Sequence, residues 1–211
     1  FGGIYQELGA QLPGLTAAVL GLSNFVSRYI LLIVAIIIGL VVLYRQWHKT
    51  PAGREVVDRI KLKLPVMGNL SQKISLSRFT RTLSTLIGGG VPMLESLKIS
   101  STTTDNVIIE RQVLNARQMV SEGKSLNDSL KQAGQGQFPA MMIQMVNVGE
   151  STGTLDEMLG KLANFFDDEV DNSVSALLSA LEPLVLIFVG GIVGTLVISM
   201  YLPLFNLIQH F

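Results

Sequence analysis

Cysteine is absent from the 211-residue chain, which excludes disulfides, thiolate nucleophiles and cysteine-held metals while leaving the compartment open. Histidine is scarce, with only His48 and His210 present. Charge is scarce as well: 15% of residues are charged against 48% apolar, a composition too apolar for a typical soluble domain. Sixteen basic residues balance sixteen acidic ones, so the total charge gives no reason to expect nucleic-acid binding. No basic stretch precedes a short apolar run, so no signal peptide is read, and a first residue of Phe leads us to expect a piece of a longer protein.

What is present is unevenly placed. From Arg45 to Arg81 there are nine basic and two acidic residues, a local balance of +7; from Glu150 to Glu182 there are eight acidic residues and one Lys, a balance of −7. Two long apolar runs flank this polar stretch. Between Arg28 and Arg45 lie sixteen uncharged residues, YILLIVAIIIGLVVLY, which reach about 24 Å as a helix and need the flanking Arg28, Arg45 and Trp47 to complete a crossing of ~30 Å. Tyr29, Tyr44 and Trp47 are the aromatics expected at the two interfaces. From Pro183 to the end there is no Asp, Glu, Lys or Arg, and residues 184–204 alone supply a full span.

Orientation follows from the basic residues near the spans, which resist translocation. Arg45, Lys49, Arg54, Arg59, Lys61 and Lys63 follow the first span, only Arg28 precedes it, and none follows the second. The polar middle is therefore expected on the cytoplasmic side. The organisation expected is a non-cytoplasmic segment over 1–27 with an interfacial helix, a transmembrane helix over 28–47, a cytoplasmic helical domain over 48–182, a second transmembrane helix over 183–206, and a non-cytoplasmic tail over 207–211. The interfacial helix is placed in residues 12–27, which are apolar but interrupted by Pro13, Gly14 and Gly21.

Helix signals recur along the middle. Thr50-Pro51 offers an N-cap with Pro at the first helical position, and the helix it opens must stop before Pro65. Leu76, Phe79, Leu83, Leu86 and Ile87 mark one apolar face, with Ser77, Arg78, Thr80 and Arg81 turned elsewhere. Gly88-Gly-Gly90 ends that helix and Pro92 starts the next; without the Lys-Ser/Thr continuation of a phosphate loop, the glycines read as a turn. Asp105 is expected to cap a helix running to about Ser121, and Ser125 a short one ending near Gly134. Pro139 opens a helix whose Met141, Met142, Met145 and Val146 should pack inward and which Gly149 should end.

Gly149-Glu-Ser-Thr-Gly153 matches the G-x-S-x-G pattern of a hydrolase nucleophile elbow. An elbow needs a strand before the serine and a histidine in reach. The preceding segment reads as helix, His210 lies beyond the second span, and His48 precedes Ser151 against the usual chain order. Thr154-Leu-Asp-Glu157 instead fits a capping box. No catalytic, cofactor-binding or metal-binding residue is assigned, and the protein is not expected to be an enzyme.

From Leu155 a helix is expected to continue through Phe165 and Phe166 directly into the second span. Its acidic residues, Asp167-Asp-Glu169 and Asp171, include an i, i+4 pair that could share a cation, but read more simply as a solvated face. In the span, Gly190, Gly191 and Gly194 give small-xxx-small spacing suited to close helix packing. No ionisable residue lies at membrane depth, so an ion pathway is not expected.

Several stretches in order carry a resemblance: Leu64-Pro-Val-Met-Gly68, Ser77-Arg-Phe-Thr-Arg-Thr-Leu83, Gly90-Val-Pro-Met-Leu-Glu-Ser-Leu97, Met145 through Glu157, Phe165 to Val170, and Met200-Tyr-Leu-Pro-Leu-Phe205. With these the chain resembles the C-terminal half of the type II secretion system F family, the platform proteins shared by type II secretion and type IV pilus machines. Phe166 stands where the family commonly has Tyr before its acidic residues.

The resemblance implies an all-α membrane protein, an antiparallel cytoplasmic bundle of about six helices flanked by two transmembrane helices, in the bacterial inner membrane. It implies as partners an assembly ATPase, pilin or pseudopilin subunits, other inner-membrane assembly proteins and the lipid bilayer. It further implies a role in moving subunits into a filament. No nucleic acid or cofactor is implied; self-association is expected. The candidate partner-binding residues within the matching motifs are Arg78, Arg81, Glu95, Glu150, Asp156 and Glu157, although Arg78 and Arg81 can equally bridge to acidic residues of the same bundle. The alternative is a membrane-anchored helical scaffold, or a small transporter or receptor component, unrelated to filaments.

Overall fold

The computed structural model describes residues 14–208. The expected non-cytoplasmic segment up to residue 13 and the end of the tail, with His210, lie outside the described residues. Eight helices and no strand are found among them: α1 (Gly14–Lys49), α2 (Pro51–Lys63), α3 (Met67–Gly88), α4 (Met93–Thr102), α5 (Val107–Ser121), α6 (Leu126–Ala133), α7 (Ala140–Thr152) and α8 (Leu155–Ile208). They fall into two compact units, one of residues 46–177 and one of residues 1–45 with 178–211.

In the unit of residues 46–177 the expected punctuation largely holds. Thr50 caps α2 by accepting the Gly53 N–H at 3.1 Å, and Pro51 occupies the first turn, where its missing N–H costs nothing. Ser125 caps α6 by accepting the Asp128 N–H at 3.0 Å. The cap of α5 falls one residue later than expected. Asn106 supplies it, its Oδ1 accepting the N–H groups of Ile108 at 3.0 Å and Ile109 at 3.3 Å. Asp105 instead sits at φ +53°, a left-handed conformation that Asp tolerates better than most residues.

Successive helices pack on one another from α2 to α7, and α2 also meets α5. Their shared core includes Leu76, Phe79 and Leu83 of α3, Ile109 and Val113 of α5, Leu130 of α6, Met142 and Val146 of α7, and Leu159 and Leu162 of α8. The methionines thus split: Met142 is fully buried, while Met141 and Met145 pack partly buried against the core. Phe79 stacks over Phe138 with ring centroids 6.4 Å apart.

The polar side of this core is a correction to the sequence reading. Ser77 and Thr80 were expected to face away from it, yet both are buried, as are Ser75, Ser96, Ser100 and Ser101. Small hydroxyl residues let helices approach and satisfy themselves locally, as Thr80 does by donating to the Leu76 carbonyl at 2.8 Å. Hydropathy scales count such residues as polar and so misplace them.

Gly149 corrects a second expectation. It lies inside α7, which runs on to Thr152 and ends at Gly153 in the left-handed region at φ +76°. A Cβ at Gly149 would lie 2.9 Å from the Leu155 Cα and 3.1 Å from the Met158 Cβ. The glycine is required for space between α7 and the start of α8, not for a turn.

Among the described residues of the unit of residues 1–45 and 178–211, large apolar side chains stand outside: Leu31 is 83% exposed and Ile187 is 77% exposed. Among the described residues, two helices are long and apolar enough to cross a membrane, with candidate spans at Ala17–Trp47 and within Leu155–Tyr201. Of the interfacial helix expected over 12–27, residues 12 and 13 lie outside the described residues. Residues 14–27 are the first turns of α1, and Gly21 sits within it, a position that costs a helix only about 1 kcal/mol. Thirty-one helical residues from Ala17 to Trp47 extend about 46 Å, more than the ~30 Å needed for one crossing.

Candidate interaction site

Alignment of α3 with the start of α8 is set by a ladder of side-chain contacts. Ser84 donates to the Asp156 carbonyl at 2.7 Å, Arg81 to Asn164 Oδ1 at 2.8 Å and to Asp167 Oδ2 at 2.6 Å, and Lys73 pairs with Glu169 at 2.7 Å. Positions fall along α3 as they rise along α8, so the two segments run antiparallel. Ser77 completes the ladder by donating to Asp167 Oδ1. That hydrogen bond, followed by the one from Arg81, holds the Asp167 carboxyl below the usual carboxylate range, against an opposing effect of partial burial.

The acidic residues of α8 are therefore partly consumed within the chain. Among the described residues there is no cluster of acidic or histidine side chains suited to a metal ion. Arg81 bridges to an acidic residue of its own unit, the plainer of the two roles the sequence left open for it, and Arg78 faces Asp105 at a looser 3.4 Å.

Glu150 turns out to be a long-range helix cap. Its Oε1 accepts the Leu126 N–H at 2.7 Å and its Oε2 the Asn127 N–H at 3.1 Å, so α7 neutralises the open amides of α6. Glu157 pairs with Lys161 at 2.7 Å, and the Thr154 N–H donates to the Gly149 carbonyl at 3.0 Å. The reciprocal capping box expected at Thr154–Glu157 is accordingly not formed. Ser151 lies in the last turn of α7, its Oγ donating to the Val148 carbonyl at 3.0 Å, with a helix rather than a strand before it. The elbow geometry is absent.

Of the remaining candidates, Glu95 faces Lys98 only at 3.9 Å, and the exposed Asp156 carboxylate has no hydrogen-bonded or ionic side-chain partner. A Cβ added at Gly190, Gly191 or Gly194 would meet nothing within 4 Å. Thr195 in the same stretch satisfies itself on the Gly191 carbonyl at 2.7 Å.

Two anchors went unread in the sequence. Asp58, only 1% exposed, accepts the Val107 N–H at 3.1 Å and so ties α2 to the first turn of α5. Glu55 receives Arg111 through both oxygens, at 3.4 and 2.9 Å, and Arg59 at 2.9 Å. Arg111 holds the Glu55 carboxyl below its ordinary value, first through the hydrogen bond and then through its charge. Glu55–Arg59 spacing of four residues and Asp58–Lys61 spacing of three were available as signals; the Asp58 contact to Val107 and the Arg111 contact to Glu55 come from fold alone.

The fold so far defines a class: a helical protein in which a polar unit with its own core accompanies two helices apolar enough to cross a membrane. Comparison with known proteins carries this to a family. The profile of the type II secretion system protein F family matches residues 79–203. A type IV pilus assembly protein PilC of Thermus thermophilus is 42% identical over 208 residues, covering 99% of this chain and 51% of that protein. PilC of Myxococcus xanthus is 37% identical over 204 residues, covering 97% and 48% respectively. Type II secretion system protein F of Pseudomonas aeruginosa is 34% identical over 206 residues, covering 98% and 50%. The chain belongs to the type II secretion system protein F family, and it spans about half the length of the curated relatives it matches.

Proposed function

We propose that the chain is part of an inner-membrane platform protein of a type IV pilus or type II secretion machine. In this reading α1 and α8 each cross the bilayer, and the polar unit lies on the cytoplasmic side, where it couples an assembly ATPase to the insertion of pilin or pseudopilin subunits into a filament. The observation that carries it is similarity along nearly the whole chain to proteins named for pilus assembly and type II secretion. The basic residues that follow the first apolar run support the orientation.

The platform hydrolyses nothing itself; it positions and transmits. Arg81 and Glu150 hold the polar unit in shape, which leaves Arg78, Glu95, Asp156 and Glu157 as the motif residues offered to partners. Gly190, Gly191 and Gly194 then serve packing against a helix from another copy or another membrane protein, where their lack of side chains permits close approach.

The test is purification from detergent-solubilised membranes. An assembly ATPase and pilin-like subunits should copurify with the chain, and a Glu95→Lys, Asp156→Lys variant should lose them at normal protein levels. Loss of neither partner would remove these residues from the interface, and absence of both partners from the wild-type preparation would remove the platform reading. A reporter fused after Phe211 is expected to be active only on the non-cytoplasmic side.

A further inference from the structure

A cavity of about 550 Å³ opens between α2, α5 and the loop after α6, all within the unit of residues 46–177. That volume lies in the range of specific ligand sites. Three cations reach it, Arg59, Lys63 and Arg111, and Glu55 is the acidic residue that pairs with the two arginines. One negative charge against three leaves a surplus of two positive charges. Lys63 is exposed and makes no ion pair or hydrogen bond.

The second observation is at the floor. Gln112 lines the cavity, is only 8% exposed, and its buried Oε1 has no hydrogen-bond partner. An orphaned buried amide destabilises a fold, and a donor brought to it by a ligand would relieve that cost. Arg59 and Arg111, by contrast, are already oriented by Glu55, which fixes their guanidinium groups before any ligand arrives.

Among the described residues no aromatic side chain lines the cavity, so these residues offer no stacking platform of the kind on which nucleobases are usually held. Its chemistry suits instead a ligand that carries carboxylates beside N–H donors. We propose that this cavity is a docking site for an acidic segment of a partner polypeptide. A carboxylate of the segment meets Lys63 and the arginine pair, while one of its main-chain N–H groups donates to Gln112 Oε1. This inference rests on the cavity alone and is separable from the platform reading.

The test uses the purified chain in detergent, panned against a phage-displayed library of random seven-residue peptides, with enriched peptides then synthesised and titrated. The expected result is a consensus rich in Asp and Glu whose binding weakens with added salt and falls at least about tenfold in Lys63→Glu. Lys63 makes no ion pair, so that variant should show only the small change in melting temperature expected of a charge reversal in the last turn of a helix. Gln112→Leu should weaken binding too, yet leave the melting temperature equal or higher, because it removes an unsatisfied acceptor; a merely structural glutamine would lose both together. Enrichment of peptides without acidic residues, no enrichment, or binding indifferent to Lys63→Glu overturns the proposal. So does a rise in melting temperature with ATP that Lys63→Glu abolishes while no acidic peptide binds, which would assign the cavity to a small phosphorylated molecule.

Discussion

In the unit of residues 46–177 the large apolar side chains are inside, with Leu76, Phe79, Leu83, Ile109 and Leu159 all at 0% exposure; in the unit of residues 1–45 and 178–211 they are outside, with Leu31 at 83% and Ile187 at 77%. Both are helical, so backbone hydrogen bonding does not separate them. What separates them is the solvent each is built for. The first buries its apolar faces because water penalises their exposure. The second gains nothing by doing so if its surroundings are hydrocarbon, and a helix is one of the few structures that satisfies every backbone group there. The polar unit correspondingly spends its charges on internal geometry, in the Asp167, Glu150, Asp58 and Glu55 contacts, whereas the apolar unit has none from Pro183 onward.

The contrast can be broken most strongly from the inside. Phe79→Ala should cost about 3–5 kcal/mol, since the ring is fully buried against Phe138, measured as a loss in thermal or denaturant stability of the purified protein. Next is Ile187→Asp, which sharpens the comparison because the two solvents predict different outcomes at a position 77% exposed. In water a surface change of this kind stays within about 0.5 kcal/mol. In a bilayer it should cost about 2.5–3.5 kcal/mol, read as reduced membrane insertion. Glu150→Ala should cost about 1 kcal/mol, with faster hydrogen exchange at the Leu126 and Asn127 amides as its signature.

The smallest effect is with acid. The carboxyls of Asp167 and Glu55 are both lowered in the folded chain, so each contributes stability that is present above the ordinary carboxylate pKa of about 4 and lost as pH falls through the lowered value. Acidification below about pH 4 should therefore loosen the α3–α8 and α2–α5 contacts. Both pairs lie at the surface, so the loss should be gradual. Arg81→Met should flatten the Asp167 part of that profile while costing about 1 kcal/mol or less near neutral pH.

Much of the polar unit was legible because its boundaries are written in local chemistry: Thr50-Pro51, Gly88-Gly-Gly90 with Pro92, and Ser125 all act within one turn of themselves. The failures are equally physical. Asp105 and Asn106 are neighbours of like capping power, and which one caps depends on the chain path. Gly149 reads as a stop from sequence, but its purpose appears only when Leu155 is seen against it. The box at Thr154–Glu157 has the right letters, yet Lys161 one turn on captures the glutamate. Of the candidate interaction residues, Arg78 and Arg81 were placed correctly on an exposed face of α3, but the partners of Arg81 are 83 and 86 residues away and belong to no local pattern. Gln112 and the cavity it lines were beyond sequence reading for the same reason.

In the topology proposed above, the polar unit lies on the cytoplasmic side of a membrane, between two crossings. Because the chain contains no cysteine, single cysteines can be introduced without background, at exposed Ser121 in the polar unit and at Gln6 before the first span. In intact spheroplasts treated with a membrane-impermeant maleimide, Gln6→Cys should be labelled and Ser121→Cys should be labelled only after lysis. Labelling of Ser121→Cys in intact spheroplasts would contradict it.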